Sequence, residues 1–182
     1  MLCSNPYVKT QTGVTRLKAI MSEDARTATT PFPCGRCLHC KINKSREWTN
    51  RLLLENMSSA DSKFVTLTYD PEYLPSDGSV NPIHLRNYIQ NIRRKHENTI
   101  RYFAIGEYGE TTWRPHYHLA LFSPDDSLSE REIARCWNKG FSHQGEISPE
   151  SARYLTGYVT KKVTKTYYTG LGHVGIGSPF II

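Results

Sequence analysis

Apolar and polar positions along the 182-residue chain change their period several times, and each change marks an element. Over 41–60, KINKSREWTNRLLLENMSSA, apolar residues at Ile42, Trp48, Leu52 and Leu53 predict an amphipathic helix. KFVTLTYD is β-rich and broken by Pro71, so it predicts a strand that opens a new unit near Lys63. In NPIHLRNYIQNIRRKH, Asn81 stands as N-cap, Pro82 takes the first helical position, and Leu85, Tyr88, Ile89 and Ile92 recur at helical spacing. RYFAIGEYG and HYHLALF read as strands separated by a Gly-containing turn. SEREIARCWNKG predicts a helix opened by a capping box of Ser129 with Glu132 and closed by Gly140. FSHQGEI predicts a short fourth strand, and SPESARYLTGYVTKKVTK a further helix started by Ser148 and Pro149.

The order from residue 61 is β-α-β-β-α-β, which predicts an α+β domain with a ferredoxin-like βαββαβ antiparallel sheet and helices on one face. Three regions result: a Cys-rich N-terminal arm and basic helix over 1–60, the α+β domain over 61–168, and a Gly-rich tail over 169–182. The arm before the cysteines reads as irregular, and the tail has no obvious partner. Composition adds that 23 Lys and Arg against 17 Asp and Glu give a formal charge of +6, which suits a polyanionic partner such as nucleic acid. No apolar run approaches the roughly 18–20 residues that span a bilayer. The start MLCSNPYVKT lacks a signal-peptide core, so a cytosolic protein without a membrane partner is expected. In that compartment the five cysteines are expected to bind metal or stay reduced.

Three clusters carry candidate chemistry. On a strand, His116 and His118 point the same way and share one site, and Glu107 at the end of the preceding strand is within reach. Two imidazoles and a carboxylate make a three-ligand metal face with open positions, or a buried histidine pair satisfied by hydrogen bonds. Tyr154 and Tyr158 lie one helical turn apart, at the edge of a stripe formed by Leu155, Val159 and Val163. Lys161, Lys162 and Lys165 surround them, and the bland reading is a core border of amphipathic tyrosines and snorkelling lysines. Cys34, Cys37 and Cys40 have two-residue spacings, with Cys3 as the natural fourth thiolate of a zinc site and His39 as its substitute. An iron-sulfur pattern fails because position 44 is Lys, and three reduced thiols in a loop remain the plain alternative. Cys136, on a helix beside Trp137, reads as a core residue.

Taken together, these residues carry a resemblance. RPHYHLALF resembles the His-hydrophobe-His strand of the HUH endonucleases, KFVTLTYD looks like their first motif, and YLTGYVTKK is similar to the two-tyrosine motif of the rolling-circle replication initiators of microviruses. PCGRCLHC followed by a Trp-bearing basic helix is similar to the gokushovirus branch, and the likeness covers about 31–166. Against that likeness, the tail after Lys165 is short.

The resemblance implies a site-specific single-stranded DNA nickase and strand-transferase that initiates replication of a small phage. One tyrosine would attack the origin strand, leaving a 5′-phosphotyrosine and a priming 3′-hydroxyl that can reverse the attack and religate. Mg²⁺ or Mn²⁺ would sit on His116, His118 and Glu107, and a structural Zn²⁺ on Cys3, Cys34, Cys37 and Cys40. Lys161 and Lys162 would act beside Tyr154 and Tyr158, while Arg114, Arg153 and Lys165 would hold the DNA backbone. The setting would be the host bacterial cytoplasm, with host replication proteins as partners. An HUH transposase or plasmid relaxase is the second reading, and a non-catalytic nucleic-acid-binding module the third.

Overall fold

A computed structural model describes residues 3–10, 13–17, 30–96, 99–109, 111–125 and 128–158, and the backbone of strands at 166–169, 172–175 and 180–181. The chain divides into two compact units, 1–47 and 48–182.

In the first unit the expected irregular arm contains a hairpin. Strands β1 (Tyr7–Thr10) and β2 (Gly13–Arg16) pair antiparallel, with Tyr7 opposite Arg16 and Thr10 opposite Gly13. Tyr7 also pairs with Phe32 through reciprocal backbone hydrogen bonds of 3.0 and 2.8 Å, and their rings stack. Such pairing satisfies backbone groups that sequence periodicity over four residues cannot announce. Helix α1 (Leu38–Ser58) starts three residues earlier than the pattern predicts, so Cys40 falls in its first turn.

The second unit is built on strands β3 (Asp61–Thr68), β4 (Arg101–Tyr108), β5 (Pro115–Ser123) and β6 (Ser142–Gly145), with helices α2 (Pro82–Arg93), α3 (Glu130–Cys136) and α4 (Pro149–Gly157). The sheet order is β6-β3-β5-β4, every pair antiparallel, as the βαββαβ succession requires. The tail supplies partners that the sequence did not reveal. Strand β7 (Thr166–Thr169) pairs with β8 (Gly172–Gly175), and β9 (Phe180–Ile181) pairs with Ile105 and Gly106 at the β4 edge.

Helices cover both faces of the sheet, not one. Leu85, Tyr88, Ile89 and Ile92 of α2 and Ile133 of α3 pack with Val65, Leu67, Tyr117, Leu119 and Leu121 on the first face. On the second, Leu52 from the later turns of α1 and Ala152 and Leu155 of α4 pack with Phe103, Ile105, Ala120 and Phe122. Both sets of β5 side chains are therefore buried, which is why its sequence reads as a near-continuous apolar run. Cys136 is a buried core residue, as expected.

Caps follow local chemistry with one exception. Asn81 accepts from Ile83 N–H ahead of Pro82, and Ser148 accepts from Glu150 and Ser151 N–H while the Ser151 hydroxyl receives the Ser148 N–H. Ser129 occupies the N-cap of α3 but makes no side-chain cap hydrogen bond, so the expected box with Glu132 does not form. That helix ends at Cys136, before Gly140. Gly140 serves a different purpose. With φ +148°, a Cβ there would lie 2.3 Å from the Thr68 carbonyl oxygen and 2.5 Å from the Asp70 nitrogen. Gly140→Ala should destabilise the protein by at least about 3 kcal/mol in denaturant unfolding, since neither clashing atom belongs to a flexible side chain. A loss under about 1 kcal/mol would show that the backbones part readily there.

Candidate metal centre and facing tyrosines

Register puts the ligand set together. Glu107 lies directly opposite His116 across β4 and β5, and Thr66 lies opposite His118 across β3 and β5. Directly opposed residues in antiparallel strands project from the same face, and here it is the face that α4 covers. The Nε2 atoms of His116 and His118 each stand 2.8 Å from the same oxygen, Oε1 of Glu107. The three ligand atoms lie within 4.8 Å of one another.

The rings are oriented from behind. His116 Nδ1 lies 3.2 Å from the Arg114 carbonyl, which can only accept, so Nδ1 carries the proton and Nε2 faces Glu107. His118 Nδ1 lies 2.9 Å from the Thr66 hydroxyl, and its ring stacks on Phe64 at 5.7 Å. Neither Thr66 nor Phe64 stands out in the sequence, because only the β3–β5 register brings them to His118.

Electrostatics match a cation site. Burial by itself would raise the Glu107 carboxyl, but hydrogen bonds from His116, His118 and Tyr154 outweigh it and hold the group far below the ordinary carboxylate range. Burial lowers His116, but the Glu107 carboxylate and the Arg114 carbonyl more than reverse this, so the imidazole is raised. A proton on His116 thus balances the buried carboxylate, a role that a metal ion fills equally. Oε2 of Glu107 is buried without a hydrogen-bond partner among the described residues. An orphaned carboxylate oxygen beside two aimed imidazole nitrogens fits the donor set of a divalent cation.

Helix α4 delivers the phenols. The Tyr154 hydroxyl donates to Glu107 Oε1 at 2.5 Å and stands 3.3 Å from His118 Nε2, while Tyr158 Oη reaches Tyr154 Oη at 3.4 Å. Burial first, then the neighbouring Glu107 and Tyr158, push the Tyr154 phenol well above its usual value. On the buried side of the same helix, Thr156 meets Thr49 of α1 hydroxyl to hydroxyl at 2.7 Å, which sets the helix against the sheet. A cavity of about 570 Å³ opens over the site, lined by Thr68, Asp70, Arg114, Phe141, both histidines and Tyr154 among others.

The basic candidates are dispersed. The Arg114 side chain donates to the Tyr69 carbonyl at 2.7 Å at the cavity wall. Arg153 is exposed and lies 3.6 Å from Glu150. Lys161, Lys162 and Lys165, and Val159 and Val163 of the expected stripe, lie outside the described residues.

In the first unit, Cys3, Cys34, Cys37 and Cys40 converge, with all four sulfurs within 4.8 Å of one another. The Cys34–Cys40 and Cys3–Cys37 sulfur pairs are each 3.9 Å apart. A disulfide needs about 2.05 Å. Bonds of about 2.3 Å to a tetrahedral ion put sulfurs about 3.8 Å apart. Cys3 Sγ accepts from the N–H groups of Asn5 and Cys34, and Cys34 Sγ from that of Cys37, each at 3.4 Å. Hydrogen bonds led by Ser4 bring the Cys37 thiol down to about 5, whereas burial pushes Cys40 up to about 12. Gly35, at φ +72°, makes the turn between the first two ligands of the CxxC pair. The set is compatible with a metal ion, and Cys3 rather than His39 is its fourth member.

An antiparallel sheet carrying a buried carboxylate and two imidazoles, faced by two phenols, defines a metal-compatible α+β domain. The chain belongs to the family of phage replication-associated proteins typified by ORF2, whose pattern matches residues 62–163. It is 36% identical over 162 residues to the replication-associated protein ORF2 of Spiroplasma virus 4, covering 76% of this chain and 51% of that one. It is also similar to the replication-associated protein VP4 of Bdellovibrio phage phiMH2K, at 32% identity over 72% of this chain and 49% of the relative. With replication-associated protein ORF4 of Chlamydia phage 1 the identity is 24%, over 72% of this chain and 38% of the relative. The chain thus spans about half the length, or less, of these curated relatives. No solved structure matches it. Among the described residues, no helix is long and apolar enough to cross a membrane.

Proposed function

We propose that this chain is a metal-dependent single-stranded DNA nickase and strand-transferase that initiates rolling-circle replication of a small phage. One observation carries the reading: the Tyr154 hydroxyl, a potential nucleophile, touches both Glu107 and His118 of the candidate metal centre. Family membership and the names of its phage relatives support the setting.

The reaction divides among this chain's own groups. Because the Tyr154 proton points at Glu107 Oε1, the oxygen's lone pairs are left to face the cavity and a phosphate bound there. In the transfer the tyrosine O–H bond breaks, an O–P bond forms, the P–O3′ bond breaks, and the leaving 3′ oxygen takes up a proton. A divalent cation on Glu107, His116 and His118, Mn²⁺ or Mg²⁺, supplies Lewis-acid polarisation of the scissile phosphate. Tyr158, one turn away on α4, is placed for a second transfer. Lys161, Lys162, Lys165, Arg114 and Arg153 neutralise backbone charge, and host replication proteins extend the released 3′-hydroxyl in the host cytoplasm. The domain over 61–168 is the catalytic part, and 1–60 a zinc-bound arm that anchors it.

The test is incubation of the protein with labelled single-stranded DNA from its replicon and Mn²⁺. A covalent protein–DNA adduct is expected, and retention without an adduct would leave only a binding module. The zinc assignment has its own check. Elemental analysis should find about one zinc per chain, and a chelator should unfold 1–47, since thiolate zinc contributes roughly 10–16 kcal/mol in small motifs. Iron with a visible charge-transfer band, or no metal, would overturn it.

A further inference from the structure

A second cavity, of about 360 Å³, lies on the opposite face of the sheet from the metal centre, between α2 and the turn that follows α3. Its volume is at the small end of ligand pockets, roughly 300–1,000 Å³, and suits one nucleotide unit better than a duplex or a peptide. Asn87, Asn91 and Asn138 line it with amides, Arg94 and Lys139 with cations, and no carboxylate takes part.

These groups are largely unspent. Among the described residues, the Asn87 and Asn138 side chains have no hydrogen-bond partner and Arg94 has no ion pair, while Asn91 makes a single long contact of 3.5 Å to the Cys136 carbonyl. Lys139 reaches over the Tyr73 ring at 5.4 Å without a carboxylate. Tyr88, which also lines the cavity, has a buried hydroxyl lacking a partner among the described residues. Trp137 contributes an aromatic wall and is held in place by its Nε1–H, which donates to the Thr68 carbonyl at 2.8 Å.

Amide side chains both donate and accept, as base edges do, and they differ from lysine or arginine in telling bases apart. Aromatic walls and unpaired cations suit the rest of a nucleotide. We propose that this cavity holds one unpaired nucleotide of the single-stranded substrate and discriminates its base, apart from the site of cleavage. The proposal deepens the nickase reading and rests on it for the identity of the strand. Free deoxynucleoside monophosphates present the same chemistry and are the alternative source.

Binding separates the possibilities without using cleavage. The full chain carrying Tyr154→Phe and Tyr158→Phe is titrated with fluorescent oligo(dA), oligo(dC) and oligo(dT) at one salt concentration. One good amide–base pair is worth about a tenfold preference, so affinities should differ by about that factor between the best and worst homopolymer. Asn87→Ala with Asn138→Ala, both on exposed positions that leave the core intact, should compress the spread to within about twofold. Arg94→Gln should weaken all three alike. Equal affinities in the parent chain, or a spread that survives the amide substitutions, would overturn the proposal. So would binding of dAMP, dCMP or TMP as tight as that of the matching oligonucleotide, which makes the cavity a free-nucleotide site. If the unsubstituted chain forms no adduct, the nickase reading fails while these affinities still decide the cavity.

Discussion

Replacing both Tyr154 and Tyr158 by phenylalanine will abolish the covalent adduct with single-stranded DNA, a loss of at least about 1,000-fold, and leave DNA affinity within about threefold. Phenylalanine keeps the edge-on contact of ring 154 with His118, at 5.1 Å, and with ring 158, at 5.4 Å, so the packing of α4 survives and only the nucleophiles go. Each single variant should still form adduct, at unequal rates, because Tyr154 is bonded to Glu107 whereas Tyr158 reaches the centre through Tyr154. Multiple-round strand transfer should fail in both, each lacking the second phenol. Peptide mapping of the adduct checks the assignment. Tyr117 is fully buried on the other face of the sheet and bonded to Tyr69 and Asn81, so it cannot serve. Adduct on Tyr167 or Tyr168, or any adduct in the double variant, would sink the mechanism.

The second large effect concerns the ligands. His116→Ala and His118→Ala should each eliminate nicking, by at least about 100-fold, and leave DNA retention on a filter nearly unchanged, since base and backbone contacts lie elsewhere. Glu107→Ala removes the carboxylate on which both imidazoles and Tyr154 converge, so Mn²⁺ affinity measured by titration should fall furthest there. Thr66→Val keeps volume and branching but loses the hydroxyl at His118 Nδ1, and about a 10–100-fold drop in metal affinity is expected. Undiminished nicking by either histidine variant would remove the metal centre from the mechanism.

Elements with strong local chemistry were legible in the sequence. Asn81–Pro82 and Ser148–Pro149 announced two helices because the cap and the first turn lie within a few residues of each other. The 116/118 alternation and the 154/158 turn spacing exposed the site, since period and handedness are local rules. Contacts fixed by register were not legible. Thr66 meets His118 across 52 positions of sequence, and nothing in KFVTLTYD singles out its second residue of that face. The second covered face was missed for a similar reason. Leu52 of α1 and Leu155 of α4 are about a hundred residues apart, yet together they shield Phe103 and Phe122. Ser129 failed as a capping hydroxyl although Glu132 stood at the right spacing, so a motif of residue types did not ensure the geometry.

The central position of β5 has a consequence for motion. With β3 and β4 bonded along its two edges and helices over both faces, the strand that carries both histidines can open only when the sheet itself opens. Its amides should exchange with deuterium at the pace of global unfolding. Helix α4 is nine residues long and lies in an outer layer, where sub-global opening is easier. The centre is therefore divided between an immobile anvil and a lighter hammer, and exchanging one phenol for the other requires displacement of the hammer alone.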